Sequence, residues 1–203
     1  IYNINKNRNT ELKKEVIQIS KLLDRNEISH VFLKGVSYLF SDYYDDIGER
    51  MIGDIDFLIK KNSSKKVESI LNNNGYKPLH DYYYFEPRHL IRRVNKEKIF
   101  AVEPHTRILE TNEELISNSN ILNNKIKLNN IWVPNKEDQL KINIFNYQIN
   151  DKGYFLQNNS VRTCYDAIKC IETMKIDLTK IPSGKIFNNF FYKNSHLAGY
   201  KIN

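Results

Sequence analysis

The sequence predicts an α+β fold: a mixed β-sheet flanked by helices, followed by a helical C-terminal part. Three observations carry that reading. In residues 54–60 two carboxylates, Asp54 and Asp56, are interleaved with apolar side chains at a period of two at the start of an apolar run, as in a strand whose first residues place both carboxylates on one face. Around it the order runs helix, strand, helix, strand, helix and then several short strands, which is an α+β order. Beyond about residue 133 of the 203 residues the apolar spacing turns helical.

In chain order, residues 10–25 gather Leu12, Val16, Ile19, Leu22 and Leu23 on one helical face and Lys13, Lys14 and Lys21 on the other. Residues 30–33 are a short β-branched and aromatic run suited to a buried strand. Lys34-Gly35 ends it, and 36–44 predicts a helix. The polar, glycine-bearing stretch 45–53 reads as a loop into the strand 54–60. Ser63 or Ser64 is placed to cap a helix that runs to about residue 73 and closes at Gly75. Residues 76–79, 82–85, 89–94 and 99–105 then read as successive short strands. A short helix at 113–117 and one or two strands within 125–133 follow. Helices are predicted at 137–149 and 161–174, with Leu140, Ile144 and Tyr147 in a buried stripe. The last twenty residues carry no clear pattern. The expected division is a sheet-bearing domain over 1–133 and a helical part over 134–203 that packs on it.

Composition narrows the class. A hydrophobic fraction of 40% with 12% aromatics supports a folded chain rather than a disordered one. No apolar run approaches transmembrane length and no signal-like segment opens the sequence, which predicts a cytoplasmic protein without a membrane partner. The two cysteines, Cys164 and Cys170, are too few for a disulfide framework and are expected to be reduced and buried. The net charge of +7 points weakly toward nucleic acid; the basic residues are scattered apart from Arg88, Arg92 and Arg93. If 88–94 is a strand, Arg88 and Arg92 share a face and Arg93 points away.

The chemistry concentrates in Gly53-Asp54-Ile55-Asp56-Phe57-Leu58-Ile59. In a strand Asp54 and Asp56 share one face, and two adjacent carboxylates repel unless a cation lies between them. Hard divalent ions take oxygen ligands and bridge carboxylates to substrate phosphates, so metal-dependent phosphoryl or nucleotidyl transfer is the leading expectation.

Taken in order, Leu33-Lys34-Gly35, Arg50 ahead of Gly53-Asp54-Ile55-Asp56, Arg88-His89-Leu90, Val102-Glu103-Pro104-His105 and the later Tyr165-Asp166 form a set. That set resembles the uncharacterised nucleotidyltransferases within the superfamily that includes DNA polymerase β, over about residues 10–175. The resemblance implies a nucleotidyltransferase-like sheet on which Asp54, Asp56 and a third carboxylate, Glu103, hold two Mg2+ ions, with Mn2+ as a substitute. It implies transfer of an NMP from an NTP to a hydroxyl acceptor with release of pyrophosphate. Lys34, Gly35 and Ser37 then take the place of the superfamily's triphosphate-binding Gly-Ser, and Arg50 pairs with the aspartates, reaches a phosphate or fixes its loop. His105 is a further candidate for substrate contact, and Tyr165 and Asp166 are expected to pin the C-terminal helix to the sheet domain. The acceptor, whether a small molecule, a tRNA end or a protein side chain, is not encoded in these motifs. The alternative is a catalytically silent nucleotide-binding or RNA-binding regulatory module on the same fold.

Overall fold

The computed structural model describes residues 2–80, 88–181 and 184–198. The predicted strand at 82–85 lies outside them.

The first helix, α1 (Tyr2–Arg25), starts well before the predicted residue 10. The apolar stripe of Leu12, Val16, Ile19 and Leu23 is fully buried, as its spacing requires. What extends the helix is polar: Asn5 donates to the Gly48 carbonyl (2.6 Å) and Asn9 to the carbonyls of Ile47 and Arg50. Two asparagines one turn apart thus continue the inward face by satisfying backbone acceptors of the 41–53 loop. Hydropathy alone misses that continuation.

Strand β1 (His30–Phe32) leads into α2 (Lys34–Phe40), which begins and ends before the predicted 36–44. Strand β2 (Asp54–Ile59) follows the loop. A 3-10 turn then enters α3 (Ser64–Asn73), but the predicted serine cap is not made: Ser63 makes no capping bond and Ser64 donates to the Lys61 carbonyl. Gly75 does close the helix, at φ +85°. A Cβ there would meet Asn95 Nδ2 at 2.9 Å. Gly75→Ala is therefore expected to cost about 1–2 kcal/mol, seen as a lower thermal midpoint with secondary structure unchanged.

Strands β3 (Lys77–Pro78), β4 (Arg93–Val94) and β5 (Ala101–His105) complete a five-stranded mixed sheet in the order β1-β2-β5-β4-β3. Strand β2 is antiparallel to β1 and parallel to β5; β4 is antiparallel to both β5 and β3. The strand predicted over 89–94 is a correction: only Arg93–Val94 is regular, with one isolated bridge between His89 and His105. Pro104 has no N–H to donate to that edge, so the ladder there breaks into single bonds such as Leu90 N–H to the Pro104 carbonyl. Freed from strand alternation, Arg92 turns toward the carboxylates.

After the sheet come α4 (Asn118–Asn123), unpredicted, and the hairpin β6 (Ile126–Leu128) and β7 (Ile131–Val133). Its Asn129-Asn130 turn has both residues at positive φ, as a tight two-residue hairpin turn demands. Helix α5 (Lys136–Phe145) widens into a π-helical stretch, Asn146–Asn150, where one uninterrupted helix was expected. A four-residue turn, α6 (Gly153–Leu156), precedes α7 (Val161–Met174), whose bounds match the expectation. The unreadable tail contains α8 (Lys185–Ala198), which buries Phe187, Phe190 and Phe191. Both cysteines are free and buried. Among the described residues no helix is long and apolar enough to cross a membrane.

The sheet separates two apolar cores. Phe32, Ile55, Phe57 and Ile59 face α1 and α3. Val31, Leu33 and Leu58 face the other way, into a core shared with α5, α7 and α8. By strand alternation Asp54 and Asp56 lie on the Leu58 face, toward the C-terminal helices.

Candidate active site

The parallel register of β2 and β5 sets Asp56 directly beside Glu103, with Asp54 opposite Ala101. Asp56, Glu103 and His105 each bring a potential ligand atom within 4.8 Å of the other two. Asp54 lies outside that group, at the start of β2. Arg92 spans the gap: Nη2 is 3.6 Å from Asp54 Oδ2 and Nε is 3.4 Å from Glu103 Oε1.

Asp56 is buried and doubly held. His105 Nε2 lies 2.6 Å and Lys34 Nζ 3.0 Å from the same oxygen, Oδ1. Burial pushes the Asp56 carboxyl up, but the Lys34 charge and the His105 hydrogen bond outweigh it and hold it well below the usual range. An ionised carboxylate only accepts, so His105 donates from Nε2 and its other nitrogen faces Arg88 at 3.5 Å. Burial lowers His105 to about 4 despite Asp56, keeping the ring neutral at pH 7. His105 therefore orients Asp56 rather than offering a lone pair. Asp54 behaves oppositely: burial, then the charges of Asp56 and Glu103, raise it to about 6. Negative charge is concentrated here beyond what Lys34 and Arg92 offset. The oxygens of Asp56 and Glu103, with Asp54 at the start of the same strand, are hard donors of the kind a divalent cation takes.

Lys34 reaches Asp56 from a left-handed backbone, φ 50°, a conformation that costs a non-glycine residue about 1 kcal/mol. Leu33 N–H donates to the Asp56 carbonyl (2.9 Å), which fixes this corner against β2. Gly35 is buried rather than open to ligand: an added Cβ would touch Ile52 at 3.0 Å. Ser37 is 1% exposed and its hydroxyl donates to the Lys34 carbonyl.

Arg50 does not reach the aspartates of β2. Its Nε and Nη2 make a forked pair with Asp166 of α7 (3.0–3.2 Å), and its Nη1 donates to the Met51 carbonyl. Tyr44 also donates to Asp166 (2.8 Å), Tyr165 to Glu49 (2.7 Å), and Lys169 pairs with Asp45 (2.8 Å). The 41–53 loop that delivers β2 is thus fastened by α7 on one side and by Asn5 and Asn9 of α1 on the other. Arg92 and Arg88 do not act as a pair on one strand face: Arg92 holds carboxylates, and Arg88 faces His105. The contact of Arg92 with Asp54 and Glu103 was beyond sequence reasoning, because it follows from the broken edge at Pro104. A larger cavity of about 760 Å³ lies at the far end of β2, lined by Lys60, Lys61, Thr106 and Glu113 among others, away from the carboxylates.

The sequence matches the uncharacterised nucleotidyltransferase family over residues 1–179. No curated protein matches it. Solved structures share its fold. The antibiotic-resistance factor ANT(2'')-Ia is 8% identical at a TM-score of 0.54, with 93% of this chain and 95% of that chain covered. The lincosamide antibiotic adenylyltransferase LnuA, solved with lincomycin bound, is 16% identical at 0.50, covering 79% and 96%. An antigenic nucleotidyltransferase-like protein from Paracoccidioides brasiliensis is 15% identical at 0.52, covering 94% and 88%. At these identities the likeness is one of fold.

Proposed function

Because the chain belongs to the family of uncharacterised nucleotidyltransferases, we propose that this transferase moves an NMP from an NTP to a hydroxyl acceptor and releases pyrophosphate. Asp54, Asp56 and Glu103 form its cation site, for Mg2+ first and Mn2+ as substitute. The observation that carries this reading is the β2–β5 register, which sets Asp56 beside Glu103 on the strand where Asp54 shares the same face. A bound divalent ion supplies charge to offset the phosphates and lowers the pKa of an acceptor hydroxyl.

The residues divide the remaining work. Lys34 and His105 both occupy Oδ1 of Asp56, which leaves Oδ2 as the oxygen for a cation. Arg92 lies against both Asp54 and Glu103, partly offsetting their charge, and is close enough to shift to a phosphate when a cation takes its place. Lys34 is half-buried and adds positive charge beside Asp56. Gly35 and Ser37 shape this corner from beneath, and Arg50 contributes charge and loop geometry rather than free donors. We assign residues 1–133 to catalysis and residues 134–203 to the helical part that faces the carboxylates. The fold shared with LnuA makes a small hydroxyl-bearing molecule the first acceptor to try, ahead of a tRNA end or a protein side chain.

The test is calorimetric titration with the four NTPs, with and without Mg2+, on the parent and on Asp54→Asn/Asp56→Asn. The parent is expected to bind at least one NTP only when Mg2+ is present, and the double variant to lose that binding. Equal binding by both proteins overturns the site assignment. Steeply salt-dependent RNA binding that survives the double substitution favours the regulatory module instead.

A further inference from the structure

The polar face of α1 borders a cleft on the other side of the sheet from the carboxylates. Gln18, Lys21, Leu22 and Arg25 share one helical stripe, at the spacing i, i+3, i+4 and i+7. With Asn74, Asn95 and Lys98 they bound a cavity of about 340 Å³. Asn95 Nδ2 donates to the Asn74 carbonyl (3.3 Å), which holds the 95–98 turn against the end of α3. The floor is made by Ile19 and Tyr76, which belong to the core under α1 and α3. Asp54 and Asp56 lie on the opposite face, with Leu58.

Charge selects the ligand. Lys21, Arg25 and Lys98 line the cleft, and among the described residues no carboxylate does. Glu15, one turn back on α1, is buried and accepts from the Tyr76 hydroxyl (2.9 Å), and Asp24 accepts from Trp132 Nε1 (3.1 Å). Lys21 and Arg25 have no ion-pair or hydrogen-bond partner among the described residues. Two like charges four residues apart on a helix disfavour each other when nothing offsets them. Lys98 adds a third charge to the same face, its Nζ 3.2 Å from Gln18 Oε1. The amide oxygens are already engaged, Gln18 Oε1 by Lys98 and Asn95 Oδ1 by the Glu97 N–H (2.9 Å). What the cleft offers is positive charge and free N–H donors, which match an anion whose oxygens only accept.

We propose that this cleft is a second ligand site, which binds a phosphorylated small molecule without a divalent ion. Lys21, Arg25 and Lys98 surround its phosphate, and the Gln18 amide N–H group donates beside them. Sites that enclose whole small molecules run to about 300–1,000 Å³, so the cleft has room for one such ligand, phosphate and body together. Its cations are fixed in the chain, whereas phosphates can approach the carboxylates of β2 and β5 only with a metal ion between them. The inference is therefore independent of the transfer reading, and magnesium separates the two sites.

The test is calorimetric titration with inorganic pyrophosphate, with EDTA present and at about 0.15 M salt, where distant surface charges are screened. Four proteins are compared: the parent, Lys21→Ala/Arg25→Ala, Asp54→Asn/Asp56→Asn, and Lys65→Ala/Lys185→Ala, which removes the same charge outside the cleft. Lys21, Arg25, Lys65 and Lys185 are exposed, so these variants are expected to fold. Binding is expected in the parent, to be unchanged in the aspartate variant and in the Lys65/Lys185 control, and to weaken about tenfold or more in Lys21→Ala/Arg25→Ala. No binding by the parent in EDTA overturns the proposal. Equal binding by Lys21→Ala/Arg25→Ala overturns it as well, and so does equal weakening in the control, which reports overall charge. A short single-stranded RNA titrated in parallel is expected to bind no more tightly than pyrophosphate. Tighter, steeply salt-dependent RNA binding that is lost in Lys21→Ala/Arg25→Ala makes the cleft a nucleic-acid contact and overturns the small-molecule assignment.

Discussion

Asp56→Asn is expected to reduce nucleotidyl transfer about 1,000-fold, equivalent to about 4 kcal/mol of transition-state stabilisation. Asparagine keeps the shape and still accepts a hydrogen bond from His105 through its amide oxygen. What it removes is the negative charge that Lys34 and His105 hold ionised against burial. The substitution therefore separates charge from packing at one position. Initial rates of pyrophosphate release, with circular dichroism to confirm the fold, provide the measurement. Activity within tenfold of the parent means that Asp56 is not at the reacting centre. A Lys34→Met companion, which leaves the Asp56 carboxylate with His105 alone, distinguishes loss of the cation site from loss of its neighbour.

The largest effect on stability is expected at Asp166→Ala. Asp166 is 2% exposed and receives three hydrogen bonds from Arg50 and one from Tyr44. Truncating it leaves the Arg50 guanidinium largely desolvated with no counter-charge, and breaking one side of a buried pair costs about 3–5 kcal/mol. For a chain of this size that corresponds to a fall in thermal midpoint of about 10 °C or more. Combining it with Arg50→Met is expected to recover part of the loss, since the orphaned charge goes with its partner. A midpoint unchanged in Asp166→Ala shows that the pair is solvent-screened and that α7 is held by its apolar face alone.

Much of this architecture can be read from side-chain periodicity. The alternation across 54–60 gave β2 and the shared face of Asp54 and Asp56, and the 3.6-residue spacing gave α7 to the residue. Periodicity fails where polar groups do the packing. Asn5 and Asn9 sit on the inward face of α1 because backbone carbonyls await them, and no hydropathy pattern signals that. It fails again at 88–92, where one missing N–H at Pro104 unmakes a strand that composition favours. The C-terminal α8 was hidden by its Asn, Lys and Ser content, although Phe187, Phe190 and Phe191 recur at helical spacing. Within the site, residue types were legible and their pairings were not. Lys34 with Asp56, Arg92 with Asp54 and Glu103, and Arg50 with Asp166 each join residues that only the fold brings together.

The fastening of the 41–53 loop has a consequence for how the protein is made. During synthesis β1, β2 and β5 leave the ribosome long before α7, so the sheet can pair while Arg50 still lacks Asp166. Until about residue 170 has emerged, that loop is held by Asn5, Lys6 and Asn9 of α1 and by the Ser41–Gln139 contact to α5 but not by α7, and the carboxylate strand hangs from a partly anchored connection. The nascent chain is then expected to pass through a stage with a formed sheet and an immature site. Helix α7 is thus expected to act as a latch, with the site maturing only once that helix has packed on the 41–53 loop.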